Sequence, residues 1–351
     1  MKISVIMPVF NCEEYLRAAV DSVLSQEGAE IEIIAVDDCS TDGSAALLRS
    51  LADRDARIKP IFNSENLGVA AVRNIALREA TGDFLAFCDS DDVVPEGAYS
   101  ALVNGIKDRD IAIGAHADKS DDGRFRVAEL SGYERGSLFR AVFAVSCLWT
   151  KLIRRDFVVR HGLTFDEKIK IGEDVVFLAH LVKQNPSFAI VERQVYTHCH
   201  HGGPPSLTHI YTLDAFVEHI NCREKLLDIC GDIPEAEYFV YRYFSGFLVD
   251  MLPRILQNDE RRRAFLLFKE YMLKFDFSGD KDTFRAIVGV PYDDFLSQDA
   301  DMYFDARASI LPREQVLFEF QSGRIGIRWA IKYVAAWLRF KMKKLFGRGA
   351  R

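Results

Sequence analysis

Residues 82–92 read GDFLAFCDSDD. Gly82 stops a helix, residues 83–88 form a short apolar strand, and three carboxylates follow within four residues. Like charges crowded at the end of a buried strand repel one another, and a bound cation is the simplest way to neutralise them. A solvated turn leading into a helix begun by Pro95 is the plainer reading of the same residues. Upstream the alternation repeats. Residues 3–10 (ISVIMPVF), 31–36 (IEIIAV) and 57–62 (RIKPIF) read as strands, with Pro60 suiting an edge position. Helices are expected at 13–26, where Leu16, Ala19, Val20, Val23 and Leu24 share a face, and at 41–52, capped by Ser40 or Thr41. A third runs from an Asn66 cap to Ala80. Strands alternating with helices at this spacing predict an α/β fold, a mostly parallel sheet flanked by helices. Ligands on such sheets bind at the carboxyl ends of the strands.

Downstream, residues 109–130 read as strand and turn with a polar loop at Asp118–Gly123, and 131–145 as helix. Residues 149–171 read as irregular, Glu173–Gln184 as a short amphipathic helix, and 187–196 as a strand. From Thr212 onward helical periods take over, at 212–230, 234–257 and 259–275. The expected organisation is an α/β domain over 1–210, an all-helical C-terminal region over 211–320, and a tail over 321–351.

Composition narrows the function. The chain has 351 residues, 49% hydrophobic and 28% charged, the balance of an ordinary globular protein. A net charge of −7 argues against nucleic acid as a partner. Seven scattered cysteines with no Cys-x-x-Cys predict reduced thiols and a cytoplasmic location. There is no secretory pattern, and no uncharged apolar run approaches the ~20 residues that span a bilayer. Charge is unevenly spread. No acidic residue follows Glu319, and nine of the 45 basic residues lie in 320–351, leaving 36 against 52 acidic ones upstream. At helical spacing Arg324, Arg328, Lys332, Arg339 and Lys343 share one arc, with Trp329, Trp337, Leu338 and Phe340 elsewhere on the surface. Residues 324–346 therefore read as a basic amphipathic helix suited to an anionic membrane surface. Packing of its apolar side on the domain is the plainer alternative.

The strand ends carry the chemistry. The first ends in Pro8-Val9-Phe10-Asn11, without the glycines of a dinucleotide or P-loop fingerprint. The second ends in VDDCSTDGS, whose Asp38 can accept hydrogen bonds from a base or ribose, or can serve a helix start. In the acidic turn, Asp89-Ser90-Asp91 lets one carboxylate face Mn²⁺ or Mg²⁺ while the other reaches a sugar or base. Arg73 stands alone among small apolar residues and can reach a phosphate. Glu173-Asp174 opens a helix, where a carboxylate aimed into a cleft can act as a general base. His198, Cys199, His200 and His201 form a cluster with His209 nearby. It has no companion Cys/His pair at zinc spacing, which argues against a structural zinc site.

The ordered series SVIMPVFNCEEYL, VDDCSTDGS, NLGVAAVRNIAL, GDFLAFCDSDD, WTKLIRRDF, FDE and GEDVVF resembles glycosyltransferase family 2, the inverting enzymes of GT-A fold, of the bacterial cell-surface polysaccharide type. The resemblance covers residues 1–205. It implies that Pro8, Val9 and Phe10 line a uracil pocket and that Asp38 bonds the base. Arg73 would lie by the base or diphosphate, Asp89 and Ser90 on the ribose side, and Asp91, with Asp89, at an Mn²⁺ or Mg²⁺ ion. Asp174, or else Glu173, would be the catalytic base. Trp149 and Lys151 would lie by the acceptor or diphosphate, and His198 and His200 on a loop over the donor. The implied reaction moves a sugar from a nucleotide sugar, UDP-linked, to a hydroxyl of a glycan or polyprenyl-linked acceptor, at the inner face of the cell membrane. Two other classes compete. A sugar-nucleotide nucleotidyltransferase would need a glycine-rich basic loop where Pro8–Asn11 stands. A catalytically vestigial interaction protein would not need intact Asp89, Asp91 and Asp174.

Overall fold

A computed structural model describes residues 1–119, 125–127, 137–201, 210–241, 245–255, 257–275, 281–289 and 291–303. Two compact units divide the chain: Met1–Pro204 with Asp228–Cys230, and the remainder. The first unit begins β1 Lys2–Val9, α1 Glu13–Leu24, β2 Glu30–Asp37, α2 Ser44–Ala52, β3 Ile58–Phe62, α3 Val69–Glu79 and β4 Phe84–Phe87. Then come α4 Ala98–Ile106, β5 Ile111–Lys119, β6 Phe125–Val127, α5 Leu138–Phe143, β7 Lys151–Arg154, α6 Arg155–Arg160, α7 Glu173–Lys183 and β8 Phe188–Cys199.

These strands form one eight-stranded sheet in the order β3-β2-β1-β4-β7-β5-β6, with β8 on β5. β1 pairs with β2 and β4, and β2 with β3, all in parallel. The apolar runs that predicted these strands are buried because helices cover both faces, and β3, with Pro60, sits at the edge. The sheet is mostly parallel in its β3-β2-β1-β4 half, with β7 antiparallel between β4 and β5. One expectation is corrected. Residues 149–171, expected to be irregular, contain β7 and α6. The predicted caps also fail. Gly43 and Gly68 occupy the N-cap positions of α2 and α3, in place of Ser40, Thr41 or Asn66. No disulfide joins the seven cysteines.

At the amino ends of the strands, buried Glu32 ties the sheet together. Its carboxylate accepts from Lys2 Nζ and Lys59 Nζ, both at 2.7 Å, from the Thr81 amide at 2.8 Å, and from the Ser4 hydroxyl. These partners hold its pKa well below the usual carboxylate range. A lowered pKa stabilises the fold above the unfolded value, near 4.5, and this contribution is lost as pH falls through the native value. Glu32→Ala is expected to cost about 1–3 kcal/mol at neutral pH, discounted because both lysines are part exposed. In urea unfolding, the gap between parent and variant should shrink progressively below pH 4.5.

The second unit is helical. It draws on α8 Leu213–Cys230, α9 Pro234–Phe239, α10 Ser245–Met251, α11 Asn258–Met272, α12 Lys281–Val288 and α13 Tyr292–Ser297. Of the helix expected across 234–257, the described residues contain α9 and α10 and then a 3₁₀ turn at Leu252–Arg254, while residues 242–244 and 256 lie outside them. Phe265, Phe284, Phe295 and Tyr303 pack as a buried aromatic core, with Phe265 and Tyr303 centroids 4.8 Å apart. No helix among the described residues is long and apolar enough to cross a membrane. The expected basic helix at 324–346 and His209 lie outside the described residues, as does most of the Asp118–Gly123 loop.

Candidate active site

The carboxyl ends of β1, β2 and β4 converge where the chain reverses its direction of progress across the sheet. Non-glycine residues just past β1 and β2 adopt left-handed backbone, Asn11 at φ 49° and Cys39 at φ 61°, a strain typical of functional turns. Asn11 is locked by its side-chain oxygen, which accepts from the Thr41 amide at 2.8 Å.

The acidic turn after β4 divides its three carboxylates among different jobs. Asp92 is buried. Its Oδ1 accepts from the Cys199 amide at 2.7 Å and its Oδ2 from the Tyr196 hydroxyl at 2.8 Å. Tyr196 Oη in turn accepts from the Asp89 amide at 3.0 Å. Burial, then Asp89 and Asp91, push the Asp92 pKa up. Asp92 therefore anchors the turn to β8 and leaves Asp89 and Asp91 facing outward. Asp91 is exposed, and partial desolvation together with Asp89 raises its pKa. The His201 ring stacks on Tyr15 at 3.7 Å, and its Nε2 lies 2.7 Å from the Asp91 carbonyl oxygen. Ser90 is buried beneath the turn. Tyr196→Phe is expected to cost about 1–3 kcal/mol in urea unfolding, because it orphans the Asp89 amide and one Asp92 oxygen.

Arg73 joins this turn to α7. Its buried guanidinium donates from Nη1 to Glu173 Oε1 and from Nη2 to Asp89 Oδ1 at 3.2 Å, over the Phe165 ring at 5.6 Å. The neighbouring carboxylates hold its pKa above the ordinary range despite burial. Gly172 adopts φ 85°, a left-handed conformation that side chains resist, and it starts α7 so that Glu173 and Asp174 lead the helix. The two carboxylates differ. Glu173 is held by Arg73. Asp174 accepts from the Val175 amide at 2.8 Å and has no ion-pair partner among the described residues. Burial, then Glu173, raise the Asp174 pKa.

Several expected site residues do other work. Lys151 is fully buried, and its ammonium donates to the Val145 and Cys147 carbonyls at 2.6 and 2.7 Å and to Thr150 Oγ1 at 3.3 Å. In this structure it braces the 145–150 loop, with all three ammonium protons directed at those oxygens. Burial lowers its pKa to about 8. Val9 lies in the hydrophobic core, so of the expected base-pocket residues only Pro8 and Phe10 retain exposed surface. Asp38 is buried and accepts from Asn63 Nδ2, the Leu67 amide and the Gly68 amide at 2.8–2.9 Å. In this structure it braces the turn before α3. Arg73, expected by a base or diphosphate, is paired in this structure with Asp89 and Glu173. His198 lies on β8 rather than on a loop, and its Nδ1 meets Asp118 Oδ1 at 3.1 Å. Trp149 stacks on Tyr196 with centroids 4.4 Å apart.

Sequence reasoning missed Tyr196, His116 and Asp118. The available signal was strand spacing. His116-x-Asp118 and His198-x-His200 each put two potential ligands on one strand face.

The acidic turn, bridging arginine and helix-leading carboxylates lie at the carboxyl ends of the sheet strands, and by its relatives the chain belongs to glycosyltransferase family 2. The profile described as Glycosyl transferase family 2 matches residues 4–159. An uncharacterized glycosyltransferase of Haemophilus influenzae is 47% identical over 258 residues, covering 70% of this chain and 96% of that protein. The succinoglycan biosynthesis protein ExoO of Rhizobium meliloti is 28% identical over 297 residues, 79% of each chain. In fold, the chain resembles Staphylococcus aureus TarS 1–349 in complex with UDP-GlcNAc. The TM-score is 0.55 at 20% identity, covering 97% of this chain and 92% of that one. The fold is therefore of GT-A type with a helical C-terminal region.

Proposed function

We propose that this protein is an inverting glycosyltransferase. It moves a sugar from a UDP-sugar to a hydroxyl of a glycan or polyprenyl-linked saccharide during cell-surface polysaccharide synthesis. The observation that carries the reading is Arg73, which binds Asp89 of the acidic turn and Glu173 of α7 through one guanidinium. It brings the donor side and the base side of a displacement reaction together. The names of relatives support the reaction class and its polysaccharide setting.

In this reading Pro8 and Phe10 flank the base, and Asp38 fixes the turn behind them. Asp89 and Ser90 face the ribose. An Mn²⁺ or Mg²⁺ ion fits Asp91, helped by Asp89, because these ions take carboxylate and phosphate oxygens and Asp91 is exposed with no ion-pair partner among the described residues. When bound, it supplies positive charge beside the departing diphosphate. The acceptor hydroxyl attacks the anomeric carbon from the face opposite the diphosphate. A new carbon–oxygen bond forms as the bond to diphosphate breaks, and configuration inverts. Asp174 takes the hydroxyl proton, since it is desolvated and has no ion-pair partner among the described residues, whereas Glu173 is paired with Arg73. The reading divides the chain into a transferase domain at 1–210, a helical region at 211–320, and a tail at 321–351. The tail contacts the cytoplasmic leaflet through 324–346.

A UDP-release assay over a panel of UDP-sugars, with Mn²⁺ and membrane-extracted acceptor lipids, tests the proposal. Acceptor-dependent release from at least one donor, with an inverted product anomer by NMR, is expected. A retained anomer, or no release from any donor, contradicts it. Substituting Arg339, Lys341, Lys343 and Lys344 by glutamate should abolish sedimentation with anionic vesicles, and unchanged sedimentation would remove the membrane part.

A further inference from the structure

We propose that Asp118, His198 and His200, with His116 beside them, form a binding site for a zinc-type transition-metal ion, separate from the oxygen-donor cation site at Asp91. This goes beyond the transferase reading and does not depend on it.

The site is built by sheet register. β5 and β8 run parallel with Asp118 opposite His198. Residues two apart on a strand share a face, so His116 and Asp118 line one strand while His198 and His200 line the next. The His200 amide donates to the Lys119 carbonyl at 2.8 Å and keeps His200 in line just past the strand end. His198 Nδ1 lies 3.1 Å and His200 Nε2 3.4 Å from the same oxygen, Asp118 Oδ1. One ligand atom from each of the three residues falls within 4.8 Å of the others. His116 Nε2 approaches the other carboxylate oxygen at 4.0 Å. A tetrahedral ion with bonds of about 2.0–2.1 Å spaces its ligands about 3.3–3.4 Å apart, so the His200 edge already has the required length and the His198 edge needs only a small opening.

The His198 and His200 rings have centroids 4.6 Å apart, so a metal ion would let both turn ring-nitrogen lone pairs toward a common centre beside Asp118. Two or three imidazoles with one carboxylate suit zinc-type ions, whereas magnesium and calcium prefer all-oxygen sets. Trp149 forms an apolar wall, stacked at 6.0 Å from His198 and edge-on to His116 at 4.9 Å. The ion would pin the ends of β5 and β8 together. That end of β8 supplies the Cys199 amide to Asp92, so the ion would also steady the acidic turn.

The test is zinc titration of the full chain by competition with a chromophoric chelator, on the parent, Asp118→Asn, His198→Gln, His200→Gln and Asp91→Asn. Cobalt substitution adds a visible spectrum that reports tetrahedral coordination. We expect one tight equivalent in the parent and in Asp91→Asn, with affinity at least about tenfold lower in the Asp118, His198 and His200 variants. Zinc should also raise the melting temperature of the parent but not of His198→Gln. Equal zinc affinity in the parent and those three variants overturns the proposal. So does loss of zinc in Asp91→Asn alone, which would place the ion at the donor site. Should one variant fail to fold without zinc, the other two decide. None of these readouts requires sugar transfer, so failure of the transferase reading leaves them intact.

Discussion

Asp174→Asn is expected to bind donor within about twofold of the parent and to transfer sugar about 10²–10⁴-fold more slowly, the usual contribution of a general base. The reason lies in the contrast between two adjacent carboxylates. Glu173 is engaged in an ion pair with the Arg73 guanidinium. Asp174 is desolvated, lies beside the Glu173 charge, and has a raised pKa. The base acts in its ionised form, so turnover should rise with pH through a value above the ordinary aspartate range. Stability runs the other way. A carboxyl whose native pKa is raised stabilises the fold below its unfolded value, and that contribution is lost as pH rises through the native value. At pH above this window the asparagine variant should therefore melt no lower than the parent. Parallel transfer assays and thermal melts check both halves. Glu173→Gln acting as the inactive variant, with Asp174→Asn fully active, would exchange the two roles.

Arg73→Met is expected to be the most damaging single substitution in the first unit, at about 3–5 kcal/mol. Removing one partner of a buried ionic group leaves the others uncompensated. Glu173 would lose its only ion-pair partner among the described residues, Asp89 would lose its arginine, and Asp174 would face an unscreened neighbour. The Asp174 pKa should then climb further, so residual activity should shift to higher pH. Arg73→Lys should recover little of either loss, because an ammonium offers one point of charge where the guanidinium spans two carboxylates. Urea midpoints and pH–rate profiles of the three proteins measure these effects.

The part of the fold legible in the sequence is the part dominated by burial. The strands at residues 3–10, 31–36 and 83–88 are apolar runs covered on both faces, and the amphipathic helices between them carry a clear period. β7 was not legible because it is four residues long, starts with a lysine and ends with an arginine. Its place is fixed by pairing with β4 and β5, which lie distant in sequence. The caps were misplaced for a similar reason. The amides ahead of α3 are satisfied by Asp38, about thirty residues upstream, so no local signal marks them.

Within the site, residue types were legible but their division of labour was not. The three carboxylates of the turn look equivalent in sequence. Only the Tyr196 and Cys199 partners on β8 separate buried Asp92 from exposed Asp91. The resemblance set Lys151 by the acceptor or diphosphate, and the loop carbonyls that receive its ammonium protons have no local signal in the sequence. The histidine cluster lacked a companion pair at zinc spacing because its companions lie about eighty residues upstream, on β5, and only parallel register joins them.

The central claim is that the acidic turn holds a divalent ion against the diphosphate of the donor. Calorimetric titration of UDP into the parent and into Asp91→Asn, each with Mn²⁺ and with chelator, tests it most directly. The account predicts that Mn²⁺ strengthens UDP binding to the parent at least about tenfold and leaves binding to Asp91→Asn unchanged. The same Mn²⁺ enhancement in both proteins would contradict it.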